Sequence, residues 1–167
     1  MRRLKVLITN GGDLRSLIFI RSVAHCPDIE LHVSAERRLA AGFHSRFCRH
    51  KTINVNPVKN PQLFIKQMID YIAGNNIDVF IPISSAEINE TLIYKNLFPE
   101  TLIIPYVDHD TFCFANDKWK FNELAEMLKI PVPATIKIED FSELDNVNLK
   151  YPLLVKARTG AGSKAIL

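Results

Sequence analysis

Two kinds of apolar run alternate through residues 4–104, and this alternation constrains the fold more than any other feature of the chain. Leu4-Lys5-Val6-Leu7-Ile8-Thr9 is apolar and β-branched and stops at Asn10-Gly11-Gly12, which reads as a strand followed by a tight turn. Asp13 then has the side chain to cap a helix, and Leu14, Leu17, Ile18, Val23 and Ala24 supply a roughly helical apolar spacing. The strand reading returns at residues 29–34 and 51–55. Asn60-Pro61 opens a helix with Leu63, Phe64, Met68, Ile69 and Ile72 on one side and Gly74 placed to end it. Residues 77–83 form a buried strand, residues 86–97 a helix, and Leu102-Ile103-Ile104 closes the pattern. Strand and helix in regular alternation predict a parallel sheet covered by helices on both faces, an α/β fold. A boundary is expected near residue 107.

Beyond it the pattern changes. Asp108 starts a short helix, and residues 117–129 form another with Phe121, Leu124, Ala125 and Leu128 along one face. Ile130-Pro131-Val132-Pro133 ends that helix, because proline cannot continue one. Residues 134–138 and 152–156 are expected strands, with a short helix at 140–146 between them. After the second strand comes Arg158-Thr159-Gly160-Ala161-Gly162-Ser163-Lys164, a glycine-rich loop, and then Ala165-Ile166-Leu167.

Composition narrows the class. An apolar fraction of 47% and a charged fraction of 23% over 167 residues suit a globular protein with a real core. The net charge of +3 gives no argument for nucleic acid as partner. Cys26, Cys48 and Cys113 are odd in number and widely spaced, so they form no disulfide framework and suit a reducing cytoplasm. No apolar run is long enough to span a bilayer, and no membrane partner is expected. His44, Cys48 and His50 fit no standard zinc spacing; they read as surface residues of a basic loop, and no metal site is expected from this chain's residues.

Three segments carry candidate chemistry. Asn10 and Gly11 lie at the carboxyl end of the first strand, where ligands of open α/β sheets gather. The G-x-G-x-x-G fingerprint is absent and Asp13 would repel a pyrophosphate, so a turn required by topology is favoured there over a dinucleotide site. Ser85 and Glu87 follow the strand at 77–83 and are placed either to hold a polar substrate or to complement the start of a helix. Finally, the lysine of Leu153-Leu154-Val155-Lys156 stands before the glycine-rich loop. The loop is no Walker motif, since Lys164 follows a serine, but a lysine beside closely spaced backbone N–H groups is a way to hold polyphosphate.

Taken in order, Asn116-Asp117-Lys118, then Leu128-Lys129-Ile130-Pro131-Val132-Pro133-Ala134-Thr135, then Tyr151-Pro152-Leu153-Leu154-Val155-Lys156 and the loop of residues 160–164 resemble the ATP-grasp superfamily. Within it the chain looks like the carbamoyl-phosphate-synthase-like members. The resemblance implies a Rossmann-like preATP-grasp domain over residues 1–107 and an incomplete small subdomain of the ATP-grasp domain over 108–167. It also implies that Lys118 and Lys156 contact ATP phosphates and that Gly160, Ala161, Gly162 and Ser163 fold over them. One departure is Lys156-Ala157, where the family usually has Lys-Pro. The implied activity is ATP-dependent joining of a carboxylate to an amine through an acyl phosphate, with ATP and magnesium as cofactors, small-molecule acid and amine as partners, and a possible homodimer through the first domain. The family's magnesium ligands fall beyond Leu167, so this chain alone is expected to bind nucleotide weakly and not to turn over. A non-catalytic binding or dimerisation module is the alternative.

Overall fold

Residues 2–150 and 152–160 are described by a computed structural model. The chain divides into two compact units, Met1–His109 and Asp110–Leu167.

The first unit is a four-stranded sheet with helices on both faces. Its strands are β1 (Leu4–Ile8), β2 (Ile29–Ala35), β3 (His50–Ile53) and β4 (Val79–Ile81), and all pairings are parallel. The order across the sheet is β3-β2-β1-β4. Ile103 extends it by a single parallel bridge to Val79, with Phe80 N donating to Ile103 O at 2.9 Å. The helices are α1 (Leu14–Ser22), α2 (Pro61–Asn75) and α3 (Ser85–Ile93).

Alternation along the strands sorts side chains into two cores. Val6 and Ile8 of β1, Leu31 and Val33 of β2 and Val79 of β4 pack with Ile20 of α1 and with Phe43. Leu7 and Phe80 point the other way, onto Phe64, Ile65, Met68 and Ile72 of α2 and onto Phe98 and Leu102. Burial on both faces is what makes β1 and β4 read as near-continuous apolar runs, whereas the edge strand β3 is mostly exposed.

Two local expectations shift. Along α1 the covered residues are Ser16 and Ile20, while Leu14 and Ile18 face solvent. The turn preceding the helix sets this phase: the Ser16 hydroxyl shares its proton between the carbonyls of Thr9 and Asn10, at 2.9 and 2.8 Å, which draws Ser16 inward. Helix α2 runs past Gly74 and ends at Asn76, whose φ of 53° is left-handed. Asparagine tolerates that conformation, so it serves as the cap in place of glycine.

The second unit holds α4 (His109–Asn116) from its second residue onward, α5 (Lys118–Met127) and a 3-10 segment at Phe141–Asn146. Ala125 is buried, whereas Phe121 and Leu128 of the expected apolar face are exposed. Residues 134–138 form no strand, and within 152–156 only Lys156 makes a strand-type bridge. A strand exists through its hydrogen-bonded neighbour, and residues 134–138 have no ladder among the described residues.

Candidate functional site

The sheet order creates a switch point. From β1 the chain moves outward to β2 and β3, then returns to the other side of β1 as β4. Connections leaving β1 and β4 therefore diverge, and the crevice between their carboxyl ends is where open α/β sheets take ligands. Thr9 and Ser84 stand at its two edges. Ile83 N donates to Thr9 Oγ1 at 3.1 Å, which ties the two strand ends together.

Asn10 and Gly11 shape one wall. Asn10 has a left-handed φ of 53°, and Gly11 N donates to Ser34 O at 2.8 Å. A Cβ on Gly11 would lie 2.7 Å from Val33 Cγ1 and 3.2 Å from Ser34 O. Glycine is required here because the turn presses against β2, which supports the topological reading of this turn. Asp13 caps α1 by accepting from Arg15 N at 2.8 Å and binds the Arg15 side chain at 2.9 Å.

Ser84 and Glu87 form a reciprocal cap at the start of α3. Glu87 N donates to Ser84 Oγ at 3.3 Å, and Ser84 N donates to Glu87 Oε2 at 2.9 Å. Glu87 is only 3% exposed, and burial pushes its carboxyl above the ordinary range, partly offset by hydrogen bonds from Ser84, Thr9 and the backbone at Ile83. Tyr106 donates to Pro82 O; burial, and then the Glu87 charge, raise its pKa. Ser85 is half-buried in the first turn of α3. Sequence reasoning had not marked Thr9 or Tyr106; the first looks like the last residue of a strand, and the second lies far along the chain from both turns.

In the second unit the start of α5 closes on the segment 158–160. Asp117 caps the helix, accepting from Trp119 N at 3.1 Å and Lys120 N at 3.3 Å. Its carboxylate also takes Arg158: Nε lies 2.8 Å from both oxygens and one terminal nitrogen 2.6 Å from Oδ2. Lys118 N donates to Arg158 O at 3.0 Å, and Lys118 Nζ reaches Gly160 O at 2.8 Å. Lys118 and Gly160 are thus brought together. Lys156 is exposed two residues before Arg158. Ala161, Gly162 and Ser163 lie outside the described residues. Arg158 was not among the expected site residues, because only folding reveals a partner 41 positions away.

Arg158 holds the Asp117 carboxyl down at about 2. The sign follows: a depressed folded pKa contributes stability above the ordinary carboxylate value of roughly 3.9, and that contribution is lost as pH falls towards about 2. Trp119, the chain's single tryptophan, donates its backbone N–H to the same carboxylate, which places a fluorophore on the adjoining turn. We expect an acid transition in Trp119 fluorescence between those values that Asp117→Asn removes; a transition unaltered by that change would sink the assignment.

A parallel α/β sheet with polar side chains gathered at its switch point is the class of fold these observations define. No family model and no curated protein matches the chain. Among solved structures it is similar to an L-amino acid ligase from Bacillus licheniformis, with a TM-score of 0.70, 14% identity and 96% of this chain covered. It is also similar to N5-carboxyaminoimidazole ribonucleotide synthetase from Thermotoga maritima, with a TM-score of 0.59, 18% identity and 98% covered. A third is N5-carboxyaminoimidazole synthetase from Staphylococcus aureus, with a TM-score of 0.61 and 15% identity. This chain spans 38–40% of the length of those structures. The likeness establishes the α/β fold.

Proposed function

We propose that the chain supplies the nucleotide-phosphate-binding part of an ATP-dependent carboxylate–amine ligase of the ATP-grasp superfamily, of the carbamoyl-phosphate-synthase-like kind. In this reading the first unit is the preATP-grasp domain and the second begins the ATP-grasp domain. The observation that carries it is the contact of Lys118 Nζ with Gly160 O, which puts an ammonium group at the loop expected to cover phosphates. The likeness in fold to an L-amino acid ligase and two synthetases supports it.

The roles follow from charge and reach. Lys118 and Lys156 offset the charge of the triphosphate. Gly160, with Ala161, Gly162 and Ser163, lets backbone N–H groups approach the phosphate oxygens. The switch-point crevice, with Asn10, Gly11, Ser85 and the buried carboxylate of Glu87, takes the small-molecule substrate. In the whole ligase the acid's carboxylate attacks the γ-phosphate, ADP leaves, and the amine displaces phosphate from the acyl phosphate. Magnesium takes oxygen ligands and neutralises phosphate charge. Asp117, the carboxylate beside Lys118, does not fit that part, because Arg158 already occupies both its oxygens. A homodimer through the first unit and a cytoplasmic location belong to the same proposal.

Calorimetry of this chain with Mg-ATP tests it. Weak but measurable binding is expected, reduced about tenfold or more by Lys156→Ala, as for loss of a charge-assisted contact. No measurable binding, or binding that Lys156→Ala leaves intact, would overturn the proposal and favour a non-catalytic module.

A further inference from the structure

The amino-terminal half of the sheet carries a second cluster, remote from the switch point. Strand register builds it. Lys5 pairs with Glu30 across β1 and β2, and His32 pairs with His50 across β2 and β3. Glu30 and His32 are two residues apart on one strand, so they share a face with Lys5 and His50. It is the face covered by α2, which brings Tyr71.

The geometry converges on one oxygen. His32 Nε2 and His50 Nε2 each lie 3.3 Å from Glu30 Oε1, and the ligand-capable atoms of the three residues all fall within 4.8 Å of one another. A tetrahedral ion with ordinary zinc–nitrogen and zinc–oxygen bond lengths has neighbouring ligand atoms about 3.4 Å apart. Both nitrogen–oxygen separations already match that edge.

The outer contacts point the same way. His32 is 1% exposed, and its Nδ1 lies 2.9 Å from the Tyr71 hydroxyl. A donor bond from Nδ1–H to that oxygen leaves Nε2 as the lone-pair nitrogen facing Glu30, the tautomer a metal ligand needs. His50 is half-exposed, which gives an ion a route in, and solvent supplies the remaining position. Two features oppose binding. Lys5 Nζ stands 4.0 Å from Glu30 Oε1, although it also donates to Asn75 O at 2.9 Å. The two imidazoles stack, with centroids 4.2 Å apart and planes 19° from parallel, so His50 must tilt to aim its lone pair. An exposed edge-strand histidine has the freedom to do so.

We propose that Glu30, His32 and His50 form a binding site for a divalent transition-metal ion of the zinc class, independent of the nucleotide reading. Histidine and carboxylate ligands on a rigid sheet select such an ion over magnesium or calcium, which prefer all-oxygen sites.

The test uses tag-free, chelator-stripped protein titrated with zinc chloride by calorimetry and with cobalt chloride by visible absorption. One equivalent is expected, with cobalt bands typical of nitrogen and oxygen ligands and a rise in Tm on adding zinc. Glu30→Gln and His50→Ala should each abolish the binding and the Tm rise, Tyr71→Phe should weaken binding about tenfold, and His44→Ala should change neither. His50 is exposed, so circular dichroism of His50→Ala should match that of the parent protein. Absence of stoichiometric binding, binding that survives His50→Ala, or a thiolate-to-cobalt band implicating Cys48 would each overturn the proposal.

Discussion

Phe80→Ala is expected to destabilise the first unit by about 3–5 kcal/mol, the usual cost of emptying a phenylalanine site in a close-packed core. Phe80 is fully buried on β4, packed among α2 residues and stacked on Phe98 at 5.7 Å between ring centroids. Its neighbours are anchored from opposite sides, by a long helix and by the segment leading to Ile103, so they cannot collapse into the space together. Set against typical total stabilities of roughly 5–15 kcal/mol, the loss is large. Thermal unfolding by circular dichroism should show Tm falling by more than about 10 °C. A fall of only a few degrees would mean that Phe98 fills the cavity, and that this core is softer than its burial implies. The effect extends to the switch point, because β4 leads into the turn that carries Ser84 and Glu87.

How much of this was legible in the residues themselves depends on the range of the interaction. The parallel sheet could be read because β1, β2 and β4 are largely buried and announce themselves locally, while the mostly exposed edge strand β3 is betrayed only by its β-branched residues. The reciprocal cap of Ser84 and Glu87 was likewise open to inspection, since its two members stand three residues apart. The apolar side of α1 was misplaced because Ser16 is pulled inward by carbonyls of the preceding turn, a contact that hydrophobic spacing does not record. Gly74 is placed to end α2 on propensity, whereas the chain ends the helix at Asn76, where its direction must reverse toward β4. Pairings across strands were out of reach. His50 was weighed with its sequence neighbours His44 and Cys48, but register sets it beside Glu30 and His32. The bond from Arg158 to Asp117 and the reach of Lys118 to Gly160 are of the same kind. The expected strand at 134–138 failed for a related reason: strand propensity is local, but strand pairing is not.

Glu87 offers the sharpest separation of structural from chemical roles. Glu87→Gln keeps an oxygen to accept from Ser84 N and leaves the Thr9 hydroxyl with a polar neighbour, while it removes a charge that burial disfavours. Glu87→Ala removes the acceptor as well and leaves the Ser84 N–H without that partner, which costs about 1–3 kcal/mol relative to the glutamine variant. At pH 7 the expected order of stability is Gln at or above Glu, with Ala below Gln. The pH dependence has a definite sign. Because the folded carboxyl titrates above its ordinary value, the native state holds a proton that the unfolded chain has released. Stability of the parent protein should therefore fall as pH rises from the ordinary glutamate range through the raised folded value, and Glu87→Gln should lack that fall. Denaturant unfolding at a series of pH values measures both effects. Identical pH profiles for the two proteins would show that Glu87 is not the buried acid its surroundings indicate. Since the glutamine variant preserves the cap, any loss of the proposed ligand binding that accompanies it is attributable to the missing ionisable group, not to a loosened α3.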